Sequence, residues 1–94
     1  MSLEEVEHLE QVTIVNVYGL HARPAAEFVK LANRFKSEIW VKKGDLEVNG
    51  KSIMGVMMLA AEKGARIEIR ARGEDAEAAV SALVELVGEG FREE

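Results

Sequence analysis

The chain has 94 residues, of which 48% are hydrophobic and 31% charged, an ordinary balance for a single domain over residues 1–94. It contains no cysteine, which excludes disulfides and thiolate metal sites. Residues 1–10 are acidic and polar rather than signal-like, and no apolar stretch approaches the roughly 20 residues that span a bilayer. We therefore expect a cytoplasmic protein that does not insert into membranes.

The net charge of −5 is unevenly distributed along the chain. Residues 20–51 carry a net charge of +3, and the remainder carries −8. A mildly basic middle suits an anionic group or an acidic partner. It is too weak for a nucleic-acid footprint, and a single Trp and a single Tyr offer no stacking platform. We therefore expect no nucleic-acid partner.

The first half of the chain predicts a strand followed by a helix. β-Branched residues indicate a strand at 12–17, which Gly19 ends. Residues 22–35 predict a helix, because Pro24 suits a first turn and apolar residues recur at helical spacing. That apolar stripe comprises Ala25, Phe28, Val29, Ala32 and Phe35. Residues 1–9 and 91–94 are expected to be loosely held tails.

The middle of the chain predicts a pair of strands. Residues 38–43 alternate apolar with polar side chains, Gly44-Asp45 is a turn signal, and residues 46–48 return as a short strand. The alternation places Trp40 opposite the apolar positions of its strand. We therefore expect Trp40 to lie half-buried on the open face of a sheet.

The remaining elements are a short helix, a strand and a last helix. Ser52 caps the helix at 53–60, residues 67–71 alternate most cleanly, and a helix begins near residue 74 and ends at Gly88. The order β-α-β-β-α-β-α predicts an α+β fold. In it, a four-stranded antiparallel sheet has three helices on one face, and its other face is solvated.

The segment Gly19-Leu20-His21-Ala22-Arg23-Pro24-Ala25 joins the first strand to the first helix. His21 falls at the helix start, where free N–H groups favour an anion, and a neutral imidazole nitrogen is a nucleophile. Arg23 adds a planar guanidinium that suits phosphate oxygens. A lone histidine at a helix start is more often a cap or a surface residue. These residues by themselves therefore indicate an anion site and leave a phosphoryl carrier as one interpretation.

The same segment resembles the active-site signature of HPr, the phosphocarrier family of the bacterial phosphotransferase system. The resemblance extends over residues 10–88 and implies an HPr-like open-faced β-sandwich that acts as a carrier, not an enzyme. It implies that enzyme I, charged by phosphoenolpyruvate, phosphorylates His21 at Nδ1, and that His21 donates to the IIA component of a sugar permease. Arg23 matches the family's phosphoryl-supporting arginine. Tyr18 stands where many relatives carry a small polar residue.

A second segment, Lys51-Ser52-Ile53-Met54-Gly55-Val56-Met57-Met58-Leu59, has more methionine than one buried stripe of a short helix can hold. Some of these side chains are expected to be exposed, as a candidate docking surface. The segment is similar to the regulatory serine segment of HPr proteins from Gram-positive-type bacteria. That similarity implies that HPr kinase/phosphorylase modifies Ser52, which slows phosphorylation of the histidine and favours binding of a catabolite-control repressor.

The predicted partner-binding face combines the two segments, since an apolar centre with a basic rim is typical of transient interfaces. Beside His21 and Arg23 it comprises Ala22, Lys30, Lys51, Ile53, Met54 and Met57. No cofactor is expected. His8 is interpreted as incidental, because the histidines and carboxylates show no metal-ligand spacing. A monomer is the expected state.

Two other functions stay open at this point. One is a regulatory binding protein of catabolite control, whose output is repressor binding through Ser52. The other is a nitrogen-related phosphotransfer branch, in which the same chemistry serves signalling. The presence of His21 favours the carrier over the purely regulatory protein.

Overall fold

The computed structural model describes residues 6–92, and the elements follow the predicted order. The four strands and three helices precede a tight turn at Gly90–Arg92. Their bounds are β1 Glu7–Thr13, α1 Ala22–Ala32, β2 Glu38–Lys43, β3 Leu46–Asn49, α2 Ile53–Met58, β4 Arg66–Arg72 and α3 Ala76–Gly88.

The strands form one antiparallel sheet in the order β1-β4-β2-β3. Strand β4 is central, and its register places Ile67 opposite Val12 and Ile69 opposite Val41. Helix α3 packs over β1 and β4, and α1 packs beside both α2 and α3. The α+β prediction is confirmed: a four-stranded antiparallel sheet with three helices.

Period-two alternation decides which face of the sheet is buried. The side chains that β2 and β4 direct at the helices are almost completely buried, because the helices cover that face. Burying each large apolar side chain contributes about 1.5–3 kcal/mol. Those from the sheet are Ile39, Val41, Ile67, Ile69 and Ala71, and they join Phe28, Val80 and Leu83 from the helices in one core.

The opposite sheet face holds charged residues around Trp40. The guanidinium carbon of Arg70 lies 4.0 Å from the Trp40 ring centroid, a cation–π geometry. The Nη2 atom of Arg70 also lies 3.2 Å from an Oε1 atom of Glu47 on β3. Trp40 is half-buried by these neighbours, so the expectation for its position is confirmed.

The prediction of the first strand was wrong in its bounds. The strand is Glu7–Thr13 rather than 12–17, because β1 is an edge strand that pairs with β4 through its backbone while exposing most of its side chains. Beyond Thr13, only one further pair of backbone bonds, between Ile14 and residues 64–65, continues the ladder. The β-branched residues after Ile14 belong to a loop.

The expected tails were also wrong where the structure describes them. Residues 7–9 belong to β1, and Phe91 is buried in the core. Arg92 belongs to the turn at Gly90–Arg92, and residues 1–5 and 93–94 of the expected tails lie outside the described part of the chain.

The first two helices end earlier than predicted. Helix α1 ends at Ala32 because the N–H groups of Arg34 and Phe35 donate to carbonyls three residues back. Such 3₁₀-type bonds replace the α-helical pattern there. Helix α2 stops at Met58 for the same reason, and Ala60 then adopts a φ of 47°.

Candidate functional site

The loop between β1 and α1 is held by hydrogen bonds at both of its ends. The side-chain amide of Asn16 donates to the carbonyl of Gly19 at 2.8 Å, and the N–H of Gly19 donates back to the carbonyl of Asn16 at 3.2 Å. The N–H of Leu20 donates to the carbonyl of Ala61 at 2.8 Å, and the Leu20 side chain is buried. The residue that follows, His21, is therefore presented from a fixed loop.

Gly19 is required in this loop for two independent reasons. Its φ of 65° lies in the left-handed region, which favours glycine. A Cβ atom at this position would lie 2.3 Å from the carbonyl oxygen of Ala61, closer than any real contact. The loop can therefore approach the chain beyond α2 only with glycine at position 19.

His21 is the N-cap residue of α1 and its side chain is exposed. Its extended backbone lets the His21 carbonyl accept the first helical bond, from the N–H of Ala25 at 3.0 Å. The N–H groups of Ala22 and Arg23 have no acceptor within the helix, as at any helix start. Pro24 has no N–H group, so it needs no acceptor. The Tyr18 ring meets the imidazole edge-on, with centroids 6.1 Å apart.

The imidazole and Arg23 open onto the same surface depression of about 500 Å³. The exposed guanidinium of Arg23 is a donor fork suited to phosphate oxygens, and the helix start adds a partial positive charge. The start of α1 thus presents positive charge to the depression, while Glu27, further along the same helix, adds a carboxylate to the lining. Its lining comprises Val17, Tyr18, His21, Arg23, Pro24, Glu27, Phe91 and Arg92.

Ser52 lies at the start of α2 and caps it. Its Oγ atom accepts a hydrogen bond from the N–H of Gly55 at 3.0 Å, and its carbonyl accepts from Val56. The N–H of Ser52 donates to the carbonyl of Asn49, which ends β3. The serine is therefore half-buried and serves the helix as a cap, as the sequence predicts.

Helix α2 exposes a patch of apolar side chains. Met54 is 74% exposed, which confirms that the helix has more methionines than one buried stripe can hold. We call the exposed apolar side chains of this helix the α2 apolar patch. Its members are Ile53, Met54, Met57 and Met58. Since α2 packs beside α1, the patch and His21 belong to two adjacent helices.

The two lysines predicted at the rim differ in their surroundings. Lys30 is exposed in the last turn of α1. Lys51 is half-buried, and its ammonium donates to the carbonyl of Phe35 at 2.7 Å, which ties the start of α2 to the chain following α1. Lys51 thus has a structural contact in addition to any part in partner binding.

Several neighbours of His21 escaped sequence reasoning. Tertiary packing alone brings three of them to the site: Ala61, Phe91 and Arg92. No local sequence pattern predicts their position there. Asn16 had a usable signal, because asparagine at the first position and glycine at the fourth are typical of a type I turn.

His8 lies on β1 with its Nε2 atom 3.1 Å from a Glu10 carboxylate oxygen. Within residues 6–92, no group of three or more His, Asp or Glu side chains is arranged to hold a metal ion. Nor does that part of the chain contain a helix long and apolar enough to cross a membrane.

Comparison with known proteins identifies the family. A family model described as "PTS HPr component phosphorylation site" matches residues 9–89. The chain belongs to the HPr family. The phosphocarrier protein HPr of Neisseria meningitidis serogroup A is 50% identical over 84 residues, which cover 89% of this chain and 94% of the relative. The HPr-like protein Crh of Halalkalibacterium halodurans is 46% identical over 78 residues, covering 83% and 93%.

A solved HPr structure shows the same fold. The crystal structure of HPr-C-His from Thermoanaerobacter tengcongensis superposes with a TM-score of 0.89 at 47% identity, and the match covers 93% of this chain and 98% of that one. HPr proteins are the phosphocarriers of the phosphotransferase system, so the family assignment predicted from the segment around His21 is confirmed.

Proposed function

We propose that this HPr protein accepts one phosphoryl group from phospho-enzyme I on Nδ1 of His21 and donates it to the IIA component of a sugar permease. The observation that supports this most is the placement of His21: exposed, at the start of α1, and beside the guanidinium of Arg23. An exposed acceptor is what a carrier needs, because two different proteins must reach the same atom. The protein is a carrier in the cytoplasm and not an enzyme.

Each transfer is a displacement at phosphorus. The lone pair of neutral Nδ1 forms the new P–N bond while the bond to the donor atom on enzyme I breaks, and the donor leaves with its electron pair. Arg23 and the N–H groups of the first turn of α1 stabilise the charge that spreads over the phosphoryl oxygens. Because the acceptor and the later donor are the same nitrogen, the second transfer reverses these roles.

Partners are proposed to dock on the α2 apolar patch and the start of α1. Ile53, Met54 and Met57 provide an exposed apolar centre, and Ala22 leaves room beside His21. Lys30 and Lys51 supply the basic rim. Apolar centres with polar rims suit transient complexes such as those of a carrier, and we infer that the carrier is a monomer.

Intact mass spectrometry tests the charging step. Incubation with phosphoenolpyruvate and a competent enzyme I is expected to add one acid-labile phosphoryl group to the wild type. His21→Ala is expected to gain none, while Lys36→Ala, which removes an exposed side chain beside Glu74 near the start of α3, is expected to gain one. An unchanged wild-type mass would refute the proposed carrier function.

A regulatory role for Ser52 is the second proposal, and the site's position favours it. Ser52 directly precedes the α2 apolar patch, so a phosphate there would add charge beside the surface on which partners dock. We propose that HPr kinase/phosphorylase modifies Ser52, which slows charging of His21 and favours a catabolite-control repressor. The similarity to a Crh protein fits this reading, and a nitrogen-related branch remains the alternative use of the same chemistry.

Incubation with ATP and an HPr kinase tests this second proposal. An acid-stable phosphate should appear on Ser52 and be absent in Ser52→Ala, and the modified protein should be charged by enzyme I more slowly. Acid-stable phosphate on a different residue, or an unaltered charging rate, would contradict the regulatory role without affecting the carrier proposal.

A further inference from the structure

The chain after α3 forms one wall of the depression at His21. Gly90, Phe91 and Arg92 have φ values of 67°, 57° and 61°, so three successive residues occupy the left-handed region. Non-glycine residues adopt this conformation rarely and keep it only where their surroundings enforce it. Here the Phe91 side chain is buried in the core, which anchors the turn.

The same turn packs against the loop that presents His21. A Cβ atom on Gly90 would lie 3.4 Å from a methyl group of Val15 and 3.7 Å from Cβ of Asn16. Asn16 in turn closes the loop by its bonds with Gly19. The C-terminal turn is thus seated directly on the segment that carries the acceptor histidine.

Arg92, the last residue of this turn, lines the depression that His21 and Arg23 share. Its Nε atom lies 3.5 Å from a carboxylate oxygen of Glu89, and its side chain is 83% exposed. An exposed ion pair of this kind is weak, and it engages one of the five N–H donors of the guanidinium. The side chain is therefore available to a stronger anion.

Without Arg92, the depression would hold more negative than positive charge once a phosphoryl group is bound. Glu27 lies in the same lining and opposes any anion bound there. A phosphoryl group adds between one and two negative charges, against which Arg23 supplies one positive charge from α1. A second guanidinium on the C-terminal wall brings the net charge of the loaded site closer to zero.

We propose that Arg92 is a second phosphoryl-binding residue, which exchanges its contact with Glu89 for the phosphoryl oxygens once His21 is loaded. The inference rests on the proposed function, because it assumes that His21 carries the phosphoryl group. The C-terminal turn would then help to hold the phosphoryl group from one side, while Arg23 holds it from α1.

The test loads His21 chemically with phosphoramidate, so that enzyme I is not needed, and follows the phosphohistidine by ³¹P NMR against pH. A guanidinium in contact favours the dianion, so Arg92→Gln is expected to raise the midpoint of the ³¹P titration by about 0.3 pH unit. Arg92→Lys should keep most of the wild-type value. In 1 M NaCl, the difference between wild type and Arg92→Gln should shrink.

Two further variants separate contact from indirect effects. Arg72→Gln removes the same charge from the end of β4 that lies away from the His21 loop and should match the wild type. Glu89→Gln/Arg92→Gln tests whether the change comes only from releasing the Glu89 carboxylate, and the proposal expects the raised midpoint to persist. A midpoint for Arg92→Gln equal to that of the wild type, or full restoration in the double variant, would overturn the proposal.

The two proposals fail differently. If phosphoramidate loads His21 and Arg92→Gln shifts the midpoint but enzyme I never charges the wild type, the carrier function fails and the role of Arg92 stands. If enzyme I charges the wild type and the midpoint is unmoved, only the role of Arg92 fails. Failure of phosphoramidate to load an exposed His21 would contradict both.

Discussion

Gly19 sets the position of the acceptor histidine more strictly than any other single residue of the loop. Its φ is positive, and a Cβ atom there would lie 2.3 Å from the Ala61 carbonyl oxygen, whereas Gly44 combines a positive φ with open space. The bond from Leu20 to that carbonyl depends on the same close approach. His21 is therefore positioned by the backbone, and its side chain makes no capping hydrogen bond at the start of α1.

Gly19→Ala is expected to lower the free energy of unfolding by about 2–4 kcal/mol, because backbone strain and a steric clash add. Gly44→Ala is the matched control, since Gly44 has a φ of 60° but nothing within 4 Å of its hypothetical Cβ. It should cost only about 1–2 kcal/mol. Urea denaturation measures both, and equal losses would show that the contact with Ala61 is unimportant.

At the scale of elements, the clearest connection is the one between the start of β2 and the start of α3. The Asp75 carboxylate accepts hydrogen bonds from the N–H groups of Lys36 and Ser37 and from the Ser37 hydroxyl. Partial burial alone would raise the pKa of Asp75, but these hydrogen bonds outweigh burial and hold that pKa below its ordinary value of 3.8. The ionised carboxylate therefore stabilises the folded state.

The sign of the pH dependence follows from the lowered pKa. The stabilisation is fully present above the unfolded-state pKa, near 4, and is lost as the pH falls through the lower folded-state value. Asp75→Asn should lower the stability at pH 7 by about 1 kcal/mol and flatten its decline below pH 4. Asp45→Asn removes the same charge from an exposed turn and should leave the decline unchanged. Denaturation curves from pH 2 to 7 distinguish the two, and parallel declines in Asp75→Asn and wild type would contradict this role.

The elements also show what local patterns can and cannot predict. Strand β2 was predicted to the residue, because its alternation is clear and a turn follows it at Gly44. Strand β1 was misplaced, since an edge strand is held by backbone pairing and its polar side chains leave no hydrophobic signal. The pairing of His21 with Arg23 is local and was predictable, whereas Arg92 joins them only through the fold.

At the scale of the whole molecule, the fold separates two surfaces. The open sheet face carries Trp40 beneath Arg70 and a set of ion pairs, while the helical side presents His21 and the α2 apolar patch. Exposed apolar side chains gathered on one short helix are unusual for a small domain unless a partner covers them. The helical side is therefore the side on which we propose that partners dock.

Met54→Glu is expected to keep the fold, because Met54 is 74% exposed, and to raise the KM of enzyme I for this carrier at least fivefold, about 1 kcal/mol of binding. Leu9→Glu changes an exposed apolar residue on the open sheet face in the same way and should leave KM near the wild-type value. A steady-state charging assay measures both. Equal KM values for Met54→Glu and Leu9→Glu would place the docking surface elsewhere.

In the proposed carrier cycle, one atom of His21 both receives and gives up the phosphoryl group. The most direct measurement is a chase followed by intact mass: protein charged by enzyme I and phosphoenolpyruvate is separated from both and mixed with a IIA protein. We expect the added phosphoryl mass to disappear from this protein and appear on IIA in equal amount. Retention of the group on His21, or its release as inorganic phosphate with IIA unmodified, would contradict the carrier function.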